Sequence, residues 1–238
     1  IYFTAQASLW RPRWYWRDWM TAIKNEYPSL RVVGEVFDGD PSMIAFFEGG
    51  RQQWDGVDDK VDLLFDFPMY YAIRGAFARG EPVRQVAQML SRDHIYRDPQ
   101  NLVTFLGLHD VSRFMHEPGA TPEGLKLAFT FLFTARGTPL VYYGDEIAIP
   151  GGNDPDNRRD MVFEENDVTE TLRRLTKIRK QNAELVYGDI DLIGLGAYGF
   201  AYQRTYEGSS TVLLLNLGDE TREFSFVLPY ASAFSSFE

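Results

Sequence analysis

Two hydrophobic patterns alternate along most of the chain. Between residues 12 and 27, apolar side chains recur every three or four positions, as on one face of a helix, and Pro28 ends the pattern. Short apolar runs typical of buried strands then alternate with further helical patterns. The predicted strands cover 30–34, 61–65, 103–106 and 140–143. The predicted helices are a short one that follows a loop at 38–41 and ends at 48, then 68–78, 83–92, a segment opening at 121, and 168–181. This alternation predicts an α/β fold in which helices cover a parallel sheet.

The pattern changes after Gly188, where predicted strands at 199–204, 211–217 and 221–227 are separated by turns containing Gly, Ser and Asp. We therefore expect two domains: residues 1–182 with the strand–helix units, and residues 183–238 as a truncated antiparallel β-sandwich. Four strand–helix units cannot close a (β/α)8 TIM barrel, which needs eight. The parallel sheet is thus either a complete open sheet or the last four units of such a barrel.

Composition narrows the function classes. The 238 residues carry a net charge of -10, which repels nucleic-acid phosphates, so we expect no nucleic-acid partner. No apolar run approaches the roughly 18 residues of a membrane span, so we expect no membrane partner either. The chain has no Cys, which excludes disulfides and thiolate metal sites. It begins at Ile1 without a recognisable signal peptide, and cytoplasmic, periplasmic and secreted locations all stay open.

Acidic residues follow the predicted strands. Because the carboxyl ends of parallel strands open at one mouth, these side chains are expected to converge there. Clustered carboxylates suit glycoside hydrolysis, in which one protonates the leaving oxygen and another stays ionised. They also suit divalent cations, but such ions usually draw several ligands from one loop, and no loop here has that spacing. The residues concerned are Glu35, Asp66, His109 with Asp110, and Asp145 with Glu146.

Four segments then carry a resemblance. Residues 33–40 (VGEVFDGD) resemble the fifth-strand motif of the alpha-amylase family of glycoside hydrolases, and 104–110 (TFLGLHD) resemble its seventh-strand motif, which usually ends Asn-His-Asp. Residues 137–146 (GTPLVYYGDE) are similar to the eighth-strand motif. Residues 151–161 (GGNDPDNRRDM) resemble a loop of the cyclomaltodextrinase and neopullulanase branch. The resemblance makes the four parallel strands the last four of a barrel.

The resemblance implies roles for individual residues. Glu35 would be the general acid/base, and Asp110 would grip the sugar and stabilise the transition state. His109, Phe37, Asp154 and Arg158 would bind the substrate. The implied reaction is retaining cleavage of α-1,4-glucosidic bonds in maltooligosaccharides or cyclodextrins, with an α-glucan oligosaccharide as the partner. No cofactor or metal is implied; the family admits calcium, but no site for it is identifiable here.

Several of these residues also have plainer interpretations. Asp154 and Arg158 could simply pair with each other, and Asp66 is interpreted as structural. We interpret Asp145 and Glu146 as supports of the barrel rim. The cluster from Trp14 to Trp19 is interpreted as a helix face packing on the barrel, and His94 and His116 receive no functional role.

Two departures from the family pattern matter. Leu108 stands where the seventh-strand motif usually has Asn. The fourth-strand motif, with its Arg, nucleophilic Asp and His, would fall at 3–12, where Thr4, Gln6 and Trp10 stand instead. We therefore expect a fragment that lacks the nucleophile and is catalytically inactive by itself.

Other functions stay open at this point. A non-catalytic carbohydrate-binding or scaffold relative is the first alternative, and a transglycosylase or glucosyl isomerase of the same family is the second. Because half a barrel exposes two open strand edges, we also expect the isolated chain to aggregate or to form a homodimer.

Overall fold

The computed structural model describes residues 13–227, in which two sheets are accompanied by helices. The first part contains α1 (Arg13–Glu26), β1 (Val33–Gly34), α2 (Pro41–Phe46), β2 (Leu63–Phe65), α3 (Phe67–Ala78), α4 (Arg84–Ser91), β3 (Leu102–Phe105), α5 (Pro122–Thr134), β4 (Thr138–Leu140) and α6 (Asp167–Gln181). The second part contains α7 (Ala183–Tyr187), β5 (Asp189–Leu195), β6 (Gly199–Tyr206) and β7 (Ser209–Asn216).

The first sheet is parallel, with strand order β1-β2-β3-β4, and the predicted fold class is confirmed. The fourth strand differs from its prediction, because it covers Thr138–Leu140 rather than 140–143. Pro139 pairs with Thr104 at the outer strand of the described sheet, a place where a missing N–H is tolerated. Gly137 precedes it with φ +92°, and a Cβ there would lie 2.6 Å from the carbonyl of Leu102. The strand therefore starts directly after this close approach.

Capping residues set where the helices begin. Thr121 accepts a hydrogen bond from the amide of Gly124 at 3.0 Å, and Pro122 follows it, so the predicted start of α5 is confirmed. Asp66 caps α3 in the same way through the amide of Met69. Helix α3 thus starts directly beyond the carboxyl end of β2, whereas a longer loop separates β3 from α5.

The second sheet is antiparallel, with order β5-β6-β7. The sequence prediction missed α7 and β5, and the predicted strand at 221–227 is wrong because that segment has no regular structure. The sheet packs on the helices of the first part: the Tyr202 hydroxyl lies 2.5 Å from Thr134 Oγ1. Phe200 and Tyr202 join the main apolar cluster beneath α3, α5 and α6. The domain boundary at residue 182 stays a prediction.

Helix α1 packs on the sheet through one face only. Met20 is buried in a cluster with Val32, Ile44 and Leu64, and Trp16 packs against that cluster. Trp14 and Trp19 are exposed, so the interpretation of the whole tryptophan cluster as a packing face is right for Trp16 alone. Within residues 13–227, no helix is both long and apolar enough to cross a bilayer.

Buried arginines tie these elements together. Arg136, between α5 and β4, contacts Asp66 and also binds Asp93 through Nη2 at 2.8 Å, with all three side chains largely buried. Arg179 of α6 donates to the carbonyls of Phe133 and Gly137 at 2.8 and 2.6 Å. A guanidinium is costly to bury unless its donors are paired, so each of these contacts constrains the loop that it reaches.

Replacement of Arg136 by Gln should therefore destabilise the chain strongly. Asp66 and Asp93 would be left as buried carboxylates without their cation, which typically costs about 3–5 kcal/mol. Urea unfolding followed by circular dichroism measures the loss. The matched control is Arg173→Gln, because Arg173 pairs with Glu165 while both side chains are more than half exposed, and its loss should leave the midpoint nearly unchanged. Equal midpoints for the two variants would contradict a stabilising role for the Arg136 pairs.

Candidate active site

Glu35 lies directly after β1 and is buried. Val36 beside it is also buried, whereas Phe37 is exposed at the surface of the same strand end. The Phe37 ring lies 4.2 Å from the ring of Phe67, which follows β2. Two predicted site residues, Glu35 and Phe37, are thus placed together at the carboxyl edge of the sheet.

An aromatic cluster lies beneath this edge. Phe67 contacts Phe105 at 5.1 Å between centroids, and Phe105 stacks on Tyr70 at 4.8 Å. Together with Phe37 and Phe65 these residues form what we term the aromatic floor, which joins the ends of β1, β2 and β3. Leu108 is buried in the same apolar cluster, which accounts for an apolar side chain where the resembled motif has Asn.

Asp110 lies in the loop after β3, with its carboxylate held from two sides. Arg158 Nη2 lies 3.1 Å from Oδ1, and His109 Nε2 lies 3.2 Å from Oδ2. The side chains of Asp110, Arg158 and His109 are 29%, 44% and 55% exposed, so the group remains open to a ligand. The structure therefore brings these three predicted residues into one cluster.

Arg158 also pairs with Asp154, its Nε lying 3.2 Å from Asp154 Oδ1. The plainer interpretation of these two residues, that they pair with each other, is confirmed. A sugar contact is compatible with this pairing, because both side chains are largely exposed. The same guanidinium thus links the carboxylates of Asp154 and Asp110.

Arg113 connects the loops after β3 and β4, and sequence reasoning missed it. Its Nη1 donates to the carbonyl of Tyr143 at 2.6 Å and lies 3.2 Å from Asp145 Oδ1. Its Nε donates to the carbonyl of Asn157 at 3.0 Å, and the guanidinium lies 4.6 Å from the Tyr142 ring. No local signal marks this role, since the partners lie 30 to 44 residues away along the chain.

Asp145 and Asp66 are structural, in agreement with their interpretation. Burial raises the pKa of Asp145 to about 7, although the charge of Arg113 acts in the opposite direction. A Cβ at Gly107 would lie 2.8 Å from Asp145 Oδ2, so the glycine of the β3 loop makes room for this carboxyl group. Asp66 caps α3 and contacts Arg136.

Residues 3–12, where Thr4, Gln6 and Trp10 stand in place of the nucleophile motif, lie outside the described residues. Within residues 13–227, no three His, Asp or Glu side chains are arranged to hold a metal ion. That the chain needs no cofactor stays a prediction, and the question of calcium stays open.

Comparisons with known proteins agree with this geometry. The family described as "Alpha amylase, catalytic domain" matches residues 9–185. A beta/alpha-amylase of Paenibacillus polymyxa is 32% identical over 193 residues, which cover 78% of this chain and 15% of that protein. A cyclomaltodextrinase of Thermoanaerobacter pseudethanolicus is 31% identical over 211 residues, which cover 85% of this chain and 34% of that protein.

Solved structures show the same correspondence. The alpha-amylase of Geobacillus thermoleovorans, solved in complex with acarbose, aligns with a TM-score of 0.81 and 29% identity. The alignment covers 93% of this chain and 49% of that one. The chain thus spans about half the length of this solved relative and about a third or less of the curated relatives above.

The pKa of Asp145 predicts a pH-dependent stability. Its pKa rises from 3.8 to about 7 on folding, so between these values the folded chain holds a proton that the unfolded chain lacks. The free energy of unfolding of the wild type, minus that of Asp145→Asn, should therefore fall by on the order of 3 kcal/mol between pH 4 and 7, and level off above. Burial also raises the pKa of Asp59, to about 6. Because Asp59 titrates in the wild type and in Asp145→Asn alike, its contribution cancels in the difference between their free energies of unfolding. Urea unfolding at each pH measures the difference, and a difference that grows with pH would contradict the assignment.

Proposed function

This chain belongs to the alpha-amylase family of glycoside hydrolases, and from that premise we propose that it contributes to retaining hydrolysis of α-1,4-glucosidic bonds in maltooligosaccharides or cyclodextrins. One observation carries the proposal. Asp110 is held by Arg158 and His109 at the same edge of the sheet where Glu35 follows β1. Glu35 and Asp110 at one mouth supply two of the roles that the resemblance implies, the acid/base and a carboxylate that binds the sugar, whereas the nucleophile of a retaining reaction is a further carboxylate.

Glu35 would act as the general acid/base. It protonates the leaving glycosidic oxygen in the first step and removes a proton from water in the second. Its burial supports this role, because a group shielded from bulk water exchanges its proton with the substrate rather than with solvent. Phe37 offers an exposed aromatic face for the apolar C–H groups of a sugar ring.

Asp110 would bind sugar hydroxyls as a carboxylate. Its two oxygens offer about four lone-pair sites. Arg158 donates to Oδ1 and His109 Nε2 lies 3.2 Å from Oδ2, which leaves acceptor sites for hydroxyl groups of the substrate. Arg158 also fixes the orientation of the carboxylate, and Asp154 adds a further exposed acceptor beside it.

A retaining reaction also needs a nucleophile. The comparison of motifs puts Thr4 and Gln6 where the family has its Arg and its nucleophilic Asp. We therefore propose that these 238 residues alone bind sugar without turnover, and that hydrolysis needs a nucleophile-bearing strand from elsewhere in the barrel.

The first experiment measures reducing sugar released from maltoheptaose and β-cyclodextrin by the purified chain. Neither the wild type nor Glu35→Gln should release any reducing sugar, because catalytic residues that act together lose nearly all activity when the nucleophile is missing. Release that disappears in Glu35→Gln would show a nucleophile within these residues. That result would contradict the proposal that the chain is inactive by itself, and it would support the role of Glu35.

The second experiment supplies the nucleophile. A chimera joins the first four barrel strands of a cyclomaltodextrinase to residues 13–238 of this chain. It should hydrolyse β-cyclodextrin and release the α-anomer first by NMR, and Glu35→Gln should lower kcat by about 10²- to 10⁴-fold. Glu146→Gln is the matched control, because Glu146 lies at the same mouth without a proposed catalytic role. An unchanged kcat in Glu35→Gln would refute the assignment.

The products separate the alternatives. Longer oligosaccharides from maltoheptaose indicate a transglycosylase, and isomeric products of unchanged size indicate a glucosyl isomerase. Binding of maltoheptaose by an intact, folded chimera without any turnover indicates a carbohydrate-binding relative instead of an enzyme.

A further inference from the structure

Asn157 is fully buried in a loop whose neighbouring side chains are exposed. It lies in the short 3-10 segment Asp156–Arg158, between an exposed arginine and a half-exposed aspartate. Its Nδ2 donates to the carbonyls of His109 and Val111, each at 2.8 Å. A side-chain amide nitrogen carries two hydrogens, so both are used. The two accepting carbonyls belong to the residues on either side of Asp110.

The contact is reciprocal. Arg113 Nε donates to the carbonyl of Asn157 at 3.0 Å, and the Arg113 amide donates to the carbonyl of Gly151 at 2.9 Å. The loop after β4 thus holds the main chain around Asp110, and the loop after β3 holds the main chain of Asn157. Val111 is buried in the apolar cluster of the aromatic floor, which fixes one end of the same segment.

We propose that Asn157 is a positioning residue for Asp110, and this inference rests on the proposed function for its consequence. By binding the carbonyls of His109 and Val111, the residues before and after Asp110, Asn157 sets where the carboxylate meets Arg158 and the sugar. A residue that only stabilises the fold would change the unfolding midpoint and leave the sugar affinity of the folded chain unaltered. A positioning residue changes that affinity well below the midpoint, because displacement of a binding group weakens each contact it makes.

The test uses Asn157→Asp in the full chain. Aspartate has nearly the same size but offers no donor to the two carbonyls when ionised. The matched control is Asn153→Asp, which adds the same charge to an exposed position of the same loop. Hydrogen exchange of residues 108–114 and calorimetric binding of maltoheptaose are measured well below each unfolding midpoint, with residues 102–105 of β3 as the internal reference.

We expect at least about tenfold faster exchange at 108–114 in Asn157→Asp, and at least about tenfold weaker maltoheptaose binding, with neither change in Asn153→Asp. Unchanged exchange at 108–114 would overturn the positioning role. Faster exchange with unaltered affinity would reduce Asn157 to a structural anchor.

Two further outcomes remain decisive. If the wild type does not bind maltoheptaose, the proposed function of this chain fails, while the exchange data still decide whether Asn157 holds the loop. If Asn157→Asp does not fold, Asn157→Ser replaces it, since the neutral hydroxyl provides only one donor. Exchange and affinity equal to wild type in Asn157→Ser would then refute the proposal.

Discussion

The arrangement of the loops around Asp110 depends on the free-energy cost of burying the guanidinium group of Arg113. Arg113 is completely buried, and such a group is tolerated only where carbonyls and carboxylates surround it. The loop after β4 provides acceptors for Nε and Nη1 through Tyr143, Asp145 and Asn157, so a displacement of either loop would break these buried hydrogen bonds. Arg74 of α3 acts in the same way from below, donating to the carbonyls of Ser112 and Arg113 at 2.6 and 3.0 Å. The open cluster around Asp110 is therefore connected to main-chain segments that two buried arginines hold together.

Burial also separates the carboxylates by role. Asp66, Asp110 and Asp145 all follow strands and look alike in the sequence. Asp66 and Asp145 each pair with a buried arginine, which engages their oxygens in contacts within the fold. Asp110 meets a half-exposed arginine instead, and its own side chain stays partly accessible. The partner and its depth, rather than the residue type, decide which carboxylate is available for chemistry.

Features that depend on neighbouring residues, such as helix starts and strands, could be predicted from the sequence. Features that depend on contacts between residues far apart in the chain could not. Capping at Thr121 and the apolar runs of the strands are local signals, and they placed α5 and the parallel sheet correctly. Strand β5 alternates Asp and apolar residues and shifts register between Leu192 and Gly194, so its pattern was too irregular to be recognised. Arg113 and Asn157 could not be found, because an arginine or asparagine that will be buried has the same local pattern as an exposed one. Glu35 and Asp110 were identified through the family resemblance, and their proposed roles still rest on it.

The two proposed catalytic carboxylates are aligned by different kinds of contact. Asp110 is held by polar contacts, through Asn157 on the carbonyls of its two neighbours in the chain and through Arg158 on its carboxylate. Glu35 follows a strand of only two residues, and the ring contact of Phe37 with Phe67 ties that strand end to the aromatic floor. The floor continues through Phe105 to the buried Leu108, two residues before Asp110. Because packed interiors transmit small displacements instead of absorbing them, the relative position of the two carboxylates depends on this apolar layer as much as on any hydrogen bond.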